Sequence, residues 1–135
     1  MMIQPLLVFS DIGLFILRLA LAAILIIHGI PKIKNRQGIS QYVGSLGFKP
    51  AIFWGTFVAI IEFFGGLFLL LGLFSQIVSF FIALQFLIII FKVNLKKGFV
   101  GGYEFDLLIL ASSLVILFGS GGAYSLDRFF GFIFY

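Results

Sequence analysis

Cysteine is absent from this 135-residue chain. Disulfide bonds, iron–sulfur clusters and thiol chemistry are therefore excluded within it. Histidine occurs once, at His28, and no CxxCH motif marks a covalently attached haem. One histidine without cysteine is a poor ligand set for zinc, so we expect no metal site.

Charged residues are also scarce. They make up 10% of the chain, against ~25% in an ordinary soluble domain. Hydrophobic residues make up 62%, and the mean hydropathy is +1.26. A soluble domain of this length leaves much of its surface in water and is too small to bury so much apolar surface. The composition predicts an integral membrane protein with the lipid bilayer as its main partner. The net charge of +4 follows from basic loops, and we expect no nucleic-acid partner.

Four apolar segments approach the ~20 residues that a transmembrane helix requires. We place helices at about 12–30, 51–73, 76–93 and 103–118 of a single domain, 1–135. Pro31 follows the first segment, and we expect the helix to end there. The predicted fold is all-α and integral to the membrane. Its architecture is an antiparallel bundle of four transmembrane helices.

The loop between the first two helices contains a further helical pattern. Ile39, Tyr42, Val43 and Leu46 recur at helical spacing. This pattern predicts a short interfacial helix in the first cytoplasmic loop. The C-terminal "LDRFFGFIFY" is too short to span, and its aromatic residues predict an interfacial anchor.

Basic residues predict the orientation. Most of them lie on the side of the first and third loops, and only Arg128 lies on the side of the termini. The residues on the loop side are Lys32, Lys34, Arg36, Lys49, Lys92, Lys96 and Lys97. Cytoplasmic loops carry the excess of Lys and Arg, so we predict extracytoplasmic N- and C-termini in a multi-pass cell (inner) membrane protein. The N-terminus lacks the basic start of a signal peptide, and we expect the first helix to be retained.

The acidic residue inside the second apolar run is Glu62, in "AIIEFFGGLFLL". Charges at membrane depth usually face the bundle interior and are paired. Helix rise places Arg18 of the first helix within about 5 Å of the same depth. We therefore predict an Arg18–Glu62 ion pair. It is either a structural pair that fixes helix register or part of a functional site.

Four further residues complete the candidate polar site. His28 and Lys32 share a stripe of the first helix with Arg18, while Tyr103 and Glu104 begin the fourth helix. We expect these four near the cytoplasmic mouth of the bundle. For His28 the alternative is a structural hydrogen bond to a backbone carbonyl at the helix end.

Four stretches resemble the DoxX family of small four-helix membrane proteins. They are "RLALAAILIIHGIPKI", "IEFFGGLFLLLGL", "GGYEFDLLIL" and "SLDR", in that order. The family is named after a subunit of a thiosulfate:quinone oxidoreductase, and other members are linked to quinone or catechol stress and to thiol homeostasis. The resemblance implies a membrane bundle and no established catalytic residue.

The leading hypothesis is a quinone-linked, oxidoreductase-associated membrane subunit that binds a quinone or another amphipathic small molecule between its helices. The chain has no flavin fingerprint, so redox work requires a quinone or a soluble oxidoreductase subunit as partner. In this hypothesis Arg18 and Glu62 determine the electrostatic field in the pocket. His28, Tyr103 and Glu104 exchange protons with the cytoplasmic side. Two alternatives stay open: a transporter component for small molecules or protons, which requires a homo-oligomer, and a non-catalytic scaffold for soluble partners. Whether the chain is itself an enzyme also stays open.

Overall fold

The computed structural model describes residues 9–132, and every regular element within that range is helical. The six α-helices are α1 (Ser10–Lys34), α2 (Arg36–Ser45), α3 (Ala51–Leu71), α4 (Ser75–Ile89), α5 (Glu104–Gly119) and α6 (Leu126–Phe130). Three short turns of π- or 3-10-helix connect α4 to α5: Ile90–Asn94, Leu95–Lys97 and Phe99–Tyr103.

Four helical segments in the described range are long and apolar enough to cross a membrane. They are Ser10–Lys34, Ala51–Leu71, Ser75–Lys97 and Phe99–Gly119. The predicted all-α membrane class with four spans is therefore confirmed. The chain is a multi-pass membrane protein.

The first helix is longer than predicted because Pro31 does not end it. Proline has no N–H and normally disrupts a helix interior. Here Pro31 lies in the last turn, where its carbonyl still accepts a hydrogen bond from the Asn35 N–H at 3.0 Å. The helix therefore continues to Lys34. Among the other boundaries that differ, α3 ends at Leu71, because Gly72 adopts a left-handed conformation with φ +70°.

Glycine allows α1 and α3 to pack backbone to backbone. A Cβ on Gly29 would lie 2.6 Å from the backbone nitrogen of Phe63. One on Gly66 would lie 2.7 Å from Ile26. Small residues of this kind let membrane helices approach closely. The two contacts fix the register of the pair, with Gly29 beside Phe63 and Gly66 beside Ile26.

The hydrophobic core lies where this pair meets α4 and α5. Its buried members are Leu21, Ala22, Leu25, Leu69, Ile82, Phe86, Ile109 and Ile116. α3 packs mainly on α1, and α4 packs mainly on α5. The bundle is therefore built from two helix pairs, with the core between them.

One end of the bundle is closed by the segment after α5, and we call it the turn end, defined by Gly72–Ser75 and 120–127. The buried Asp127 carboxylate accepts hydrogen bonds from the N–H groups of Phe74 at 2.5 Å and Ser75 at 2.8 Å. It thereby caps the start of α4 and stabilises Phe74, which has an unusual φ of +51°. The Asp127 N–H in turn donates to the Gly72 carbonyl at 2.9 Å.

Asp127→Ala is expected to destabilise the protein by about 0.5–2 kcal/mol, the usual effect of losing a helix cap. Two N–H groups at the start of α4 would lose their acceptor. Thermal unfolding in detergent, followed by circular dichroism, measures the change. Asp127→Asn keeps one acceptor oxygen and should lose less stability. Equal unfolding temperatures for wild type and Asp127→Ala would contradict the capping role.

The predicted C-terminal anchor falls partly outside the described residues. α6 forms at Leu126–Phe130, and its Phe129 and Phe130 side chains are exposed. Positions 133–135 of that prediction lie outside the described residues.

Candidate functional site

A cavity of about 700 Å³ opens at the end of the bundle opposite the turn end. We call this the site end, defined by Lys32, Glu62, Gln85 and Asp106. The cavity is lined by α1 to α5 and by the turn after α4. Its walls are mostly apolar and include Leu25, Val58, Phe86 and Ile109. A cavity of this size with few polar groups is typical of small-molecule sites.

Three polar side chains from three helices meet in this cavity, and we call them the ionic network. The Lys32 ammonium donates to both carboxylate oxygens of Glu62, each at 2.6 Å. The Gln85 amide nitrogen donates to one of the same oxygens at 2.7 Å. Glu62 is 1% exposed and Lys32 is 29% exposed. The carboxylate is thus paired and hydrogen-bonded, as a buried charge must be to persist.

The predicted Arg18–Glu62 pair is wrong. The register of α1 and α3 places Gly29, not Arg18, beside the turn of α3 that holds Glu62. Arg18 lies instead at the turn end, where its side chain contacts the position a Cβ of Gly72 would occupy. Ten residues of helix separate Gly72 from Glu62, which is ~15 Å of rise. The depth calculation failed because it assumed that the ends of α1 and α3 lie at the same levels, whereas the contacts of Gly29 with Phe63 and of Gly66 with Ile26 stagger the two helices.

Arg18 has its own buried environment at the turn end. Its guanidinium donates to the carbonyl of Tyr124 at 2.7 Å and lies 5.5 Å from the Phe15 ring centroid. Arg18 is not part of the cavity lining. It holds the segment after α5 against α1.

The remaining predicted residues divide into two groups. His28 lines the cavity with Lys32 and Glu62, and its ring lies 5.7 Å from that of Phe105. Tyr103 and Glu104 are outside the lining. Glu104 accepts a hydrogen bond from the Gly101 N–H at 3.0 Å, which stabilises the turn before α5.

The apolar stripe of α2 faces the same cavity. Ile39, Tyr42, Val43 and Leu46 all contribute to the lining. This packing is possible because α2 lies close to α3, where a Cβ on Gly55 would be 2.5 Å from the Ser40 hydroxyl. The stripe predicted to face the membrane interface therefore covers the cavity.

A second polar contact lies at the cavity mouth. The Asn94 amide donates to the Asp106 carboxylate, which joins the π-helical turn after α4 to the first turn of α5. Lys92 lies nearby, with its ammonium 5.6 Å from the Phe48 ring centroid. π-helical turns are frequent at functional sites because they redirect side chains, and this one brings Asn94 to the mouth.

Sequence reasoning missed Gln85 and Asp106. Gln85 is an amide inside the apolar run "SFFIALQFLIII", and that isolation was a usable signal, since polar residues at membrane depth are rare. Asp106 lies in the sequence as one of two acids at the start of the fourth predicted helix. Nothing in the sequence indicated that it would meet Asn94.

The arrangement suits a ligand with hydrogen-bond acceptors. Lys32 retains N–H capacity beyond its bonds to Glu62, because an ammonium carries three donors. In residues 9–132, no three His, Cys, Asp or Glu side chains are grouped so as to hold a metal ion.

The fold and the site together define a multi-pass helical membrane protein with an ionic network inside a ligand-sized cavity. The DoxX family model matches residues 13–95, a range that includes α1 to α4 and the ionic network. The chain belongs to the DoxX family.

Two relatives cover nearly the whole chain. "Putative oxidoreductase CatD" of Bacillus subtilis is 34% identical over 119 residues, which is 88% of this chain and 87% of that protein. "Inner membrane protein YqjF" of Escherichia coli is 30% identical over 123 residues, covering 88% and 92% respectively. No solved structure matches.

Proposed function

We propose that this protein binds a quinone-like amphipathic molecule in its cavity and serves as the membrane subunit of an oxidoreductase. The observation that carries the proposal is the ionic network at the wall of an otherwise apolar cavity of about 700 Å³. A planar, conjugated quinone ring with carbonyl groups matches both features. The apolar walls favour the ring, and the Lys32 ammonium provides a donor for a carbonyl oxygen.

The unmet hydrogen-bonding groups of the cavity support this ligand class. Gln85 turns its amide nitrogen toward Glu62 because a carboxylate only accepts, which leaves its oxygen without a donor among the described residues. A buried acceptor without a partner is unfavourable. The network therefore offers one free donor, on Lys32, to the oxygen of a ring that carries a carbonyl or a hydroxyl group.

Each residue has a distinct task in this proposal. Glu62 holds Lys32 in place, while Gln85 fixes the orientation of the Glu62 carboxylate. His28, at the exposed edge of the lining, is the group placed to pass protons between ligand and solvent. A quinone, when bound, supplies two-electron chemistry that no side chain of this cysteine-free chain provides.

The relatives' names agree with a redox role in the inner membrane. One is named an oxidoreductase and the other an inner membrane protein. We propose the same membrane for this chain, with antiparallel spans, α2 at the cytoplasmic interface and both termini extracytoplasmic. The clustering of lysines at the site end, including Lys34, Lys92 and Lys97, supports that orientation.

Trp54, the only tryptophan, lines the cavity and provides a direct binding signal. Titration of the protein in lipid nanodiscs with a decyl-substituted benzoquinone is expected to quench Trp54 fluorescence saturably. Glu62→Gln should weaken binding by about tenfold or more, which corresponds to roughly 1.4 kcal/mol. The reason is that Lys32 would lose the charge that positions it.

Glu104→Gln is the matched control, since it neutralises an acid at the same end of the bundle that does not line the cavity. Its binding should equal that of wild type. Quenching that never saturates in wild type, or that both variants weaken equally, would overturn the proposal. Trp54→Phe should abolish the signal and so confirm its source.

A further inference from the structure

Asp106 is a buried acid of the cavity to which the proposed function gives no task. It lines the cavity and is 7% exposed. The Asn94 amide donates to its Oδ2 atom, and within residues 9–132 no basic side chain forms an ion pair with it. Glu62, the other acid in the lining, has both an ion pair and the hydrogen bond from Gln85. Asp106 therefore lacks the compensation that a buried carboxylate requires.

The second carboxylate oxygen of Asp106, Oδ1, is open to a ligand. An ionised carboxylate only accepts hydrogen bonds, and its two oxygens together have about four lone-pair sites. In the part of the chain that the structure describes, no group donates to Oδ1. This atom is nevertheless not enclosed by protein, as the unpaired carbonyl oxygen of Gln85 is. Because Asp106 lines the cavity, a donor on a ligand can reach Oδ1.

Asp106 and the ionic network border the same cavity from different helices. Asp106 lies in the first turn of α5, and Lys32 lies in the last turn of α1. The two helices meet beside both groups, where the rings of His28 and Phe105 have centroids 5.7 Å apart. His28 precedes Lys32 by about one helical turn, and Phe105 is adjacent to Asp106 in the sequence. The cavity thus presents a donor from α1 and an acceptor from α5 to one ligand.

We infer that Asp106 is a specificity-determining residue that accepts a hydrogen bond from a hydroxyl group of the ligand. This inference rests on the proposed function, because Lys32 binds another oxygen of the same ring. A carbonyl oxygen next to Asp106 would bring two acceptors together, and both would lose their hydrogen bonds to water. A site that hydrogen-bonds a ligand hydroxyl discriminates strongly against an analogue without one. The preferred ligand class is therefore the hydroquinone, a ring with two hydroxyl groups, rather than the quinone.

A purely structural task for Asp106 makes a different prediction. Asp106 lies in the first turn of α5, where a negative charge is favourable, and its bond from Asn94 holds the turn after α4. If these were its only tasks, a substitution would change the affinity for all ring compounds by the same factor. The ratio of two affinities therefore tests the inference, whereas a single affinity does not.

The experiment compares two probes that differ by one O–H group, the monomethyl and dimethyl ethers of hydroquinone. Each is titrated in nanodiscs as a competitor of the decyl-substituted benzoquinone, whose quenching of Trp54 reports occupancy. In wild type the monomethyl ether should compete about tenfold or more better than the dimethyl ether, after correction for partition into lipid. Asp106→Asn should reduce this ratio to less than about threefold, because an amide both donates and accepts. Asp106→Glu keeps the carboxylate and should keep most of the preference.

Glu104→Gln is again the matched control, because it neutralises an acid in the same helical turn outside the lining, and it should keep the wild-type ratio. Equal competition by the two ethers in wild type would overturn the inference and leave the proposed function in place, whether or not the variants fold. A ratio that stays unchanged in a folded Asp106→Asn variant would also overturn it. Absence of saturable quenching by the decyl benzoquinone in wild type would refute the proposed function itself, and the inference with it.

Discussion

Lys32→Met is expected to lower the free energy of unfolding by about 3–5 kcal/mol, the typical loss when one member of a buried ion pair is removed. The Glu62 carboxylate is 1% exposed and would keep only the hydrogen bond from Gln85. An unpaired carboxylate in that environment must either stay desolvated or take up a proton, and both are unfavourable. Unfolding in detergent with increasing denaturant, followed by circular dichroism, measures the loss.

Removing the carboxylate of the pair instead of the ammonium should destabilise the protein less. Glu62→Gln leaves Lys32 unpaired, but that side chain is 29% exposed and its long apolar stem allows the ammonium to reach water. Adding Glu62→Gln to Lys32→Met should therefore restore most of the lost stability. Lys34→Met, two residues along the same helix at an exposed position, is the control and should have little effect. If Lys32→Met were no worse than Lys34→Met, the ionic network would not hold α1 to α3.

Gly29→Ala is expected to be the most damaging single-methyl substitution at the α1–α3 contact. The added carbon would lie 2.6 Å from the Phe63 nitrogen and 2.8 Å from its Cα, and backbone atoms cannot rotate away. The helices must separate, at a cost of about 1–3 kcal/mol or more from overpacking. The separation would also draw Lys32 away from Glu62, so the Trp54 binding signal should weaken together with stability.

Gly13→Ala provides the matched control on the same helix. No atom lies within 4 Å of the position its Cβ would take, so nothing opposes the substitution. Alanine is the better helix former by about 0.5–1 kcal/mol, and the variant should be as stable as wild type or slightly more stable. Equal destabilisation by the two substitutions would show that Gly29 matters through helix propensity and not through close packing.

The membrane class and the four spans follow from the sequence because they depend on local composition. A run of about 20 apolar residues has few alternatives to a membrane helix. Pro31 shows the limit of such local rules. The tendency of Pro31 to end a helix was outweighed by contacts of neighbouring residues. One of them is the hydrogen bond from Lys32, in the same turn, to Glu62.

The Lys32–Glu62 ion pair was not predicted, for a related reason. The close packing of Gly29 and Gly66 against the opposite helix decides which residues of α1 and α3 lie side by side. This packing depends on both helices together, so it is not predictable from the sequence of either helix alone. The depth estimate assumed that the ends of the two helices lie at the same levels, and the real stagger between them brings Lys32, not Arg18, to Glu62. The stripe of α2 was identified correctly, yet its partner was not, since a membrane surface and an apolar cavity require the same pattern of side chains.

The turn end and the site end of the bundle should tolerate amino-acid substitutions differently. The turn end is fixed by Asp127 and Arg18, neither of which lines the cavity. The bonds that close the turn end are therefore independent of the residues that border the cavity. Substitutions at Val58 or Leu84, which line the cavity outside the buried core, should alter which ring compounds bind while that closure stays intact.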